Sequence, residues 1–181
     1  SVSSDAQQAM DDRKTPIASF YANLQVFKGY AEKEYLPYTT SAGDIAALDA
    51  ALDNILEEGI EAVFARHDRI ASAVREAAQA YGLELFLDSD RSNTVTAIRI
   101  PEEIGALRLQ EHLSEHYDLL VATSLAQYAD VILRIGHMGE NAYLDKLIYV
   151  LAIIDNGLRD LGFARKGDMA QLFIESYKKN N

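Results

Sequence analysis

The chain has 181 residues, 49% of them apolar and a quarter charged, enough to bury roughly 70% of its unfolded surface in one domain or one domain with an appendage. Its net charge of −11 argues against a nucleic-acid or anionic-membrane partner, and its lack of cysteine excludes disulfides, thiolate nucleophiles and thiolate metal sites. No stretch reaches the length of a membrane span, and no basic-then-apolar leader pattern opens the chain.

Residues 4–12 read as a short polar helix, with Ser4, Asp5 and Gln8 forming its start. Thr15-Pro16 then suggests a second helix, with Thr15 as cap and Ile17, Phe20, Tyr21, Leu24, Phe27 and Tyr30 as an aromatic-rich face. Residues 34–43 break that pattern and read as an extended loop. From Asp44 a helical period runs through Ile45, Leu48, Leu52, Ile55, Val63, Ile70, Val74 and Tyr81 to Gly82. Gly59 interrupts it without breaking phase, which predicts one kinked helix or two in succession, about 55 Å long and bridging two parts of a larger body.

Beyond it strand and helix alternate. Strands are expected over 83–87, 94–100, 119–122 and 131–135, and helices over 102–116, 140–162 and 168–179. That order predicts a small α/β (α+β) domain, with an antiparallel or mixed sheet carrying helices on one face.

Arg134 is the residue most in need of explanation. It sits in Val131-Ile132-Leu133-Arg134-Ile135-Gly136-His137-Met138-Gly139, where apolar neighbours predict a buried charge. A buried guanidinium is costly without an anion, so a partner acid in the fold or a carboxylate ligand must meet it. His137 in the following turn reads more readily as a structural hydrogen-bonding residue than as an acid/base group. His112-Leu113-Ser114-Glu115-His116 fits a zinc pattern on one helix, but it lies on a solvated face and no third ligand is evident, so no metal is expected. Tyr38-Thr39-Thr40-Ser41 precedes a helix amino terminus, which favours anions; an N-cap with a spare threonine is the plainer account.

Three segments together resemble the class-V aminotransferases of the pyridoxal-phosphate fold-type I group, nearest the alanine–glyoxylate and serine–pyruvate branch. They are Tyr38-Thr39 before a long helix, Ile55-Leu56-Glu57-Glu58-Gly59-Ile60-Glu61 within it, and Leu133-Arg134-Ile135-Gly136-His137-Met138-Gly139. The resemblance implies that Arg134 binds the substrate's α-carboxylate. It implies that Thr39, and with it Tyr38, contributes to binding the cofactor phosphate across a homodimer. It assigns 1–43 to the end of the large cofactor domain and an interdomain loop, 44–81 to the bridging helix, 82–163 to the small carboxy-terminal domain and 164–181 to a terminal helix and tail. It departs from the family in Ala122–Asp130, where a glycine-rich approach is usual, and in Thr40, where a proline is common.

The family's Schiff-base lysine falls before Ser1, and none of Lys14, Lys28 or Lys33 has its context. The expectation is a carboxy-terminal portion of a cytoplasmic enzyme acting on small amino and 2-oxo acids, with no catalytic residue of its own and inactive alone. The alternative is a stand-alone α/β binding or regulatory module with Arg134 in a structural ion pair.

Overall fold

The structure, a computed structural model, describes residues 2–179; Ser1 and positions 180–181 of the expected tail lie outside them. The chain divides into two compact units, residues 1–54 and 55–181.

In the first unit, α1 (Ser4–Asp11) is capped by Ser3 Oγ, which accepts from Ala6 N at 3.2 Å. The helix expected from Thr15 is not formed; a 3₁₀ turn over Leu24–Phe27 stands in its place. The cause is local competition for amides. Ser19 Oγ accepts from Ala22 N at 3.1 Å and Asn23 Oδ1 from Gln25 N at 3.0 Å, bonds that replace helical ones. Gln25 Nε2 also donates to Met10 O at 2.7 Å, folding the turn against the end of α1. The aromatic residues gather instead around Tyr38, whose ring lies 5.3 Å from those of Tyr21 and Phe27 and 6.0 Å from that of Phe20. No described side chain of residues 2–54 is fully buried.

The long helical pattern is two helices, α2 (Ala42–Glu58) and α3 (Ile60–Tyr81), separated at Gly59 with φ of 87°. A side chain is strained in that conformation, so a glycine is what permits the break. Gly82, with φ of 107°, ends α3 in the left-handed form expected of a helix stop.

The second unit holds four strands, β1 (Glu84–Leu85), β2 (Val95–Arg99), β3 (Ala122–Thr123) and β4 (Ile132–Gly136), in the order β1-β2-β4-β3 with every pair antiparallel. Register places Ile98 opposite Leu133 and Thr96 opposite Ile135, all buried on one face. That face shares its core with α3, α4 (Ala106–Tyr117) and α5 (Leu144–Asp160), through Val74, Leu109, Leu113, Leu147, Leu151 and Ile154. The terminal helix α6 (Met169–Lys179) docks on α3 and α5 through Phe173. Asp155, buried in α5, accepts from the Tyr81 hydroxyl at 2.9 Å and from Met169 N at 3.0 Å, so one carboxylate ties three helices together. The small antiparallel α/β domain with helices on one face is therefore as expected.

Several boundaries move: β1 and β3 are shorter than the 83–87 and 119–122 expected, β3 falls at the far end of its range, and α5 starts at Leu144 instead of 140. α4 starts at Ala106 instead of 102, because residues 101–105 form a turn in which Pro101 O accepts from Ile104 N and Gly105 N, each at 3.0 Å. Asp130 then caps the helix from outside: its carbonyl accepts from Ala106 N and its carboxylate from Leu107 N, both at 2.9 Å.

Candidate functional site

Arg134 is exposed, which corrects the expectation of burial. From Leu133 onward the strand alternates: Leu133, Ile135 and His137 are buried while Arg134, Gly136 and Met138 are exposed, although Ile132, two residues before Arg134, is buried as well. The apolar residues on either side of Arg134, Leu133 and Ile135, belong to the buried face of the strand. Among the described residues no carboxylate forms an ion pair with Arg134, so the structural-pair account has no partner to offer. Its Nε donates to Thr123 O on the neighbouring strand at 2.9 Å. The other edge of the fork, Nη1 and Nη2, is thereby left for a second acceptor, and a carboxylate fits it with two parallel bonds.

Arg134 lines a cavity of about 600 Å³ beside the β3 edge of the sheet. Val95, Leu119, Val121 and Leu147 give it apolar walls; Asn141 and Lys146 add polar groups from the start of α5 and the turn before it. Two cations and no carboxylate line it, in a chain of net charge −11. Local charge therefore runs against the field of the whole molecule, and an anion is the ligand that suits it.

His137 lies on the opposite, packed side of the strand. It is fully buried, its Nε2 lies 2.8 Å from Thr96 Oγ1, and Nδ1 has no hydrogen-bond partner. Burial pushes its pKa down to about 4. The imidazole is held by Thr96 and does not line the cavity that holds Arg134.

The turn after β4 is held by two residues that sequence patterns did not reveal. Arg66 of α3 donates to Glu58 in a fork, Nε to Oε1 at 2.6 Å and Nη2 to Oε2 at 2.7 Å. Its Nη1 donates to Gly139 O and Ala142 O, both at 3.1 Å, and its guanidinium lies 4.3 Å from the centre of the Tyr143 ring. The Arg66 guanidinium holds Glu58 below the usual glutamate range. His67 grips the other side of Gly139, whose amide donates to Nε2 at 3.0 Å. An amide can only donate, so Nε2 is bare and Nδ1 carries the hydrogen, given to Val63 O at 2.7 Å. Glu58 and Gly139 belong to two of the three telling segments, but neither hints at the arginine that joins them.

Tyr38 and Thr39 lie in the first unit. Tyr38 is half-buried among its aromatic neighbours, Thr39 is exposed, and neither hydroxyl makes a hydrogen bond among the described residues. The cap of α2 is Ser41, whose Oγ faces Asp44 N at 3.4 Å and whose carbonyl accepts from Ile45 N at 3.1 Å. Thr39 is thus not spent on capping. An available hydroxyl three residues ahead of a helix of 17 residues fits an oxyanion such as a phosphate.

His112 and His116 do not gather a metal site. His112 Nε2 lies 3.0 Å from Asp160 Oδ2, which also accepts from the Tyr117 hydroxyl at 2.6 Å. Among the described residues no three possible ligands cluster.

No family model matches the chain. An uncharacterized aminotransferase from Methanocaldococcus jannaschii is 42% identical over 149 residues, which is 81% of this chain and 38% of that protein. An L-aspartate–glyoxylate aminotransferase from Paracoccus denitrificans is 42% identical over 136 residues, 74% of this chain and 34% of its own. The chain is homologous to part of the class-V, fold-type I pyridoxal-phosphate aminotransferases. Among solved structures, the pyridoxamine–pyruvate aminotransferase of Mesorhizobium loti superposes with a TM-score of 0.89 at 28% identity, covering 99% of this chain and 47% of that one. The chain thus spans roughly two fifths of the length of the curated relatives it matches. No described helix is long and apolar enough to cross a membrane.

Proposed function

We propose that the chain is the carboxy-terminal part of a pyridoxal-phosphate-dependent aminotransferase that moves an amino group from alanine or serine to glyoxylate or pyruvate, and that Arg134 binds the substrate's α-carboxylate. The observation that carries this reading is an exposed arginine without an acidic partner, steered by Thr123 O and lining a cavity that holds two cations and no carboxylate. In this reading 1–43 closes the cofactor domain, 44–81 bridges, 82–163 is the small domain and 164–181 the terminal tail, within a cytoplasmic homodimer.

Thr39, with Tyr38 beside it, is the proposed hold on the cofactor phosphate in the partner subunit's site; the unspent Thr39 hydroxyl near the α2 amino terminus fits that role. Bound pyridoxal phosphate supplies the electron sink for breaking bonds at the substrate's α-carbon. Arg134 fixes one end of the substrate and so limits the orientations in which its α-carbon reaches that sink. The family's Schiff-base lysine anchors the cofactor and shuttles the proton, and no lysine of this chain is proposed for that role.

The test is Arg134→Ala in the full-length enzyme. Losing a charge-assisted fork of roughly 3 kcal/mol raises the amino-acid KM and lowers kcat/KM by about two orders of magnitude or more. Kinetics close to normal in that variant refute the assignment.

A further inference from the structure

Arg134 serves as a carboxylate anchor only when its guanidinium is aimed, and a single hydrogen bond among the described residues aims it, from Nε to Thr123 O. Thr123 belongs to the shortest kind of strand. β3 pairs with β4 only at Ala122↔Arg134 and Thr123↔Leu133, and it lies at the edge of the sheet. So few ladder bonds do not by themselves fix the height or tilt of an edge segment.

Leu119 and Val121 pack half-buried against the core, and among the described residues two hydrogen bonds besides the ladder and Arg134's own bond tie residues 119–123 to the body. Leu119 N donates to Leu113 O at 3.1 Å. Gln110, half-buried on α4, sends Nε2 to Val121 O at 2.7 Å. Apart from Arg134's own bond, it is the only side-chain hydrogen bond to the backbone of 119–123 among the described residues. A carbonyl only accepts, so the amide orientation of Gln110 is set by this contact. α4 is itself well held, with Leu109 and Leu113 fully buried and Asp130 at its amino terminus.

We propose that Gln110 is a positioning residue for substrate binding: it pins Val121, the pinned segment places the Thr123 carbonyl, and that carbonyl sets the direction of Arg134. The inference rests on the reading of Arg134 as the carboxylate anchor and adds a residue that never touches substrate.

The experiment is a double-mutant cycle in the full-length enzyme with Gln110→Met, which keeps length and loses the donor, and Arg134→Ala. The readouts are competitive inhibition by propanoate, a carboxylate that cannot react, and the split between KM and kcat. Gln110→Met is expected to weaken propanoate and raise the amino-acid KM about five- to tenfold, with kcat within about twofold. In the Arg134→Ala background it is expected to change neither. Gln110→Glu, ionised and unable to donate, serves the same comparison if the methionine variant does not fold. Unchanged propanoate inhibition in Gln110→Met, or an equal loss in both backgrounds, overturns the proposal and leaves Arg134 standing. Unchanged inhibition in Arg134→Ala alone overturns the anchor reading and the proposal with it.

Discussion

His137 offers a test that needs no catalysis, because its burial links folding to pH. The imidazole is fully buried beside Thr96, with Nδ1 unpartnered, and its pKa is pushed down to about 4. In the unfolded chain an ordinary histidine titrates near ~6.5. Between these values the unfolded chain binds a proton that the folded one refuses, so stability falls as pH drops through that window and levels off below about 4. At about 1.4 kcal/mol per pH unit the full difference is roughly 3 kcal/mol, of which about 2 kcal/mol is lost between pH ~7.5 and ~5. The perturbation is His137→Gln, which keeps a polar group for Thr96 and cannot titrate. Urea unfolding across that range measures the slope, with His67, His112 and His116 common to both proteins. The wild type is expected to lose about 2 kcal/mol more than the variant by pH ~5. A His137 resonance titrating near ~6.5 by NMR, or parallel slopes for the two proteins, refutes the reasoning.

Two further outcomes follow from packing on α3 and α5. Arg66→Leu strips a fork from Glu58 and two donors from the Gly139–Ala142 turn. With both partners partly exposed, a loss of about 2–3 kcal/mol is expected, read as a drop of roughly 1 M in the urea midpoint; a change under about 0.5 kcal/mol sinks the clamp as a stabilising element. Gly157→Ala raises helix propensity in α5, yet its Cβ comes to 2.6 Å from Leu113 Cδ2 in the packed core. The clash is expected to win by about 1–3 kcal/mol, and a variant as stable as wild type, or more so, shows that α4 and α5 have room to move apart.

What periodicity exposes is the packed face. Leu133 and Ile135, Leu147, Leu151 and Ile154, and Val74 each announce their elements, and the antiparallel sheet with helices on one side follows from their order. What it hides is any choice made by a distant group or by competition among local bonds. The start of α4 is fixed by Asp130, far downstream, as well as by Gly105 at its N-cap, and the acidic pair Glu102-Glu103 ahead of it reads as a first turn that does not form. The region 15–30 has helical spacing, but Ser19 and Asn23 take the amides first and the rings collect on Tyr38. For Arg134 the family resemblance supplied the expected role while the burial argument mispredicted its surroundings, because a run of apolar letters in a strand alternates between two faces. The residues that hold its neighbourhood, Arg66, His67 and Gln110, sit on helices and look like ordinary solvated positions in sequence.

Those residues also give a physical reason for two separated segments to occur together. Glu58, just ahead of Gly59, gains a cation, and the Gly139 and Ala142 carbonyls of the turn after β4 gain donors, all from the one planar group of Arg66. The left-handed φ of 57° at Gly139 exposes its amide to His67 while its carbonyl meets Arg66, so both backbone polar groups of one residue are bound from α3. Replacing any one partner leaves the others with unmet charge or unmet acceptors, which costs more than losing the group as a whole. The Glu-Glu-Gly and Gly-His-Met-Gly segments are therefore two ends of one hydrogen-bonded unit. β4 enters that unit two residues after Arg134, so the unit limits how far Arg134 can drift along its strand at one end, as the Thr123 carbonyl limits its direction from the side.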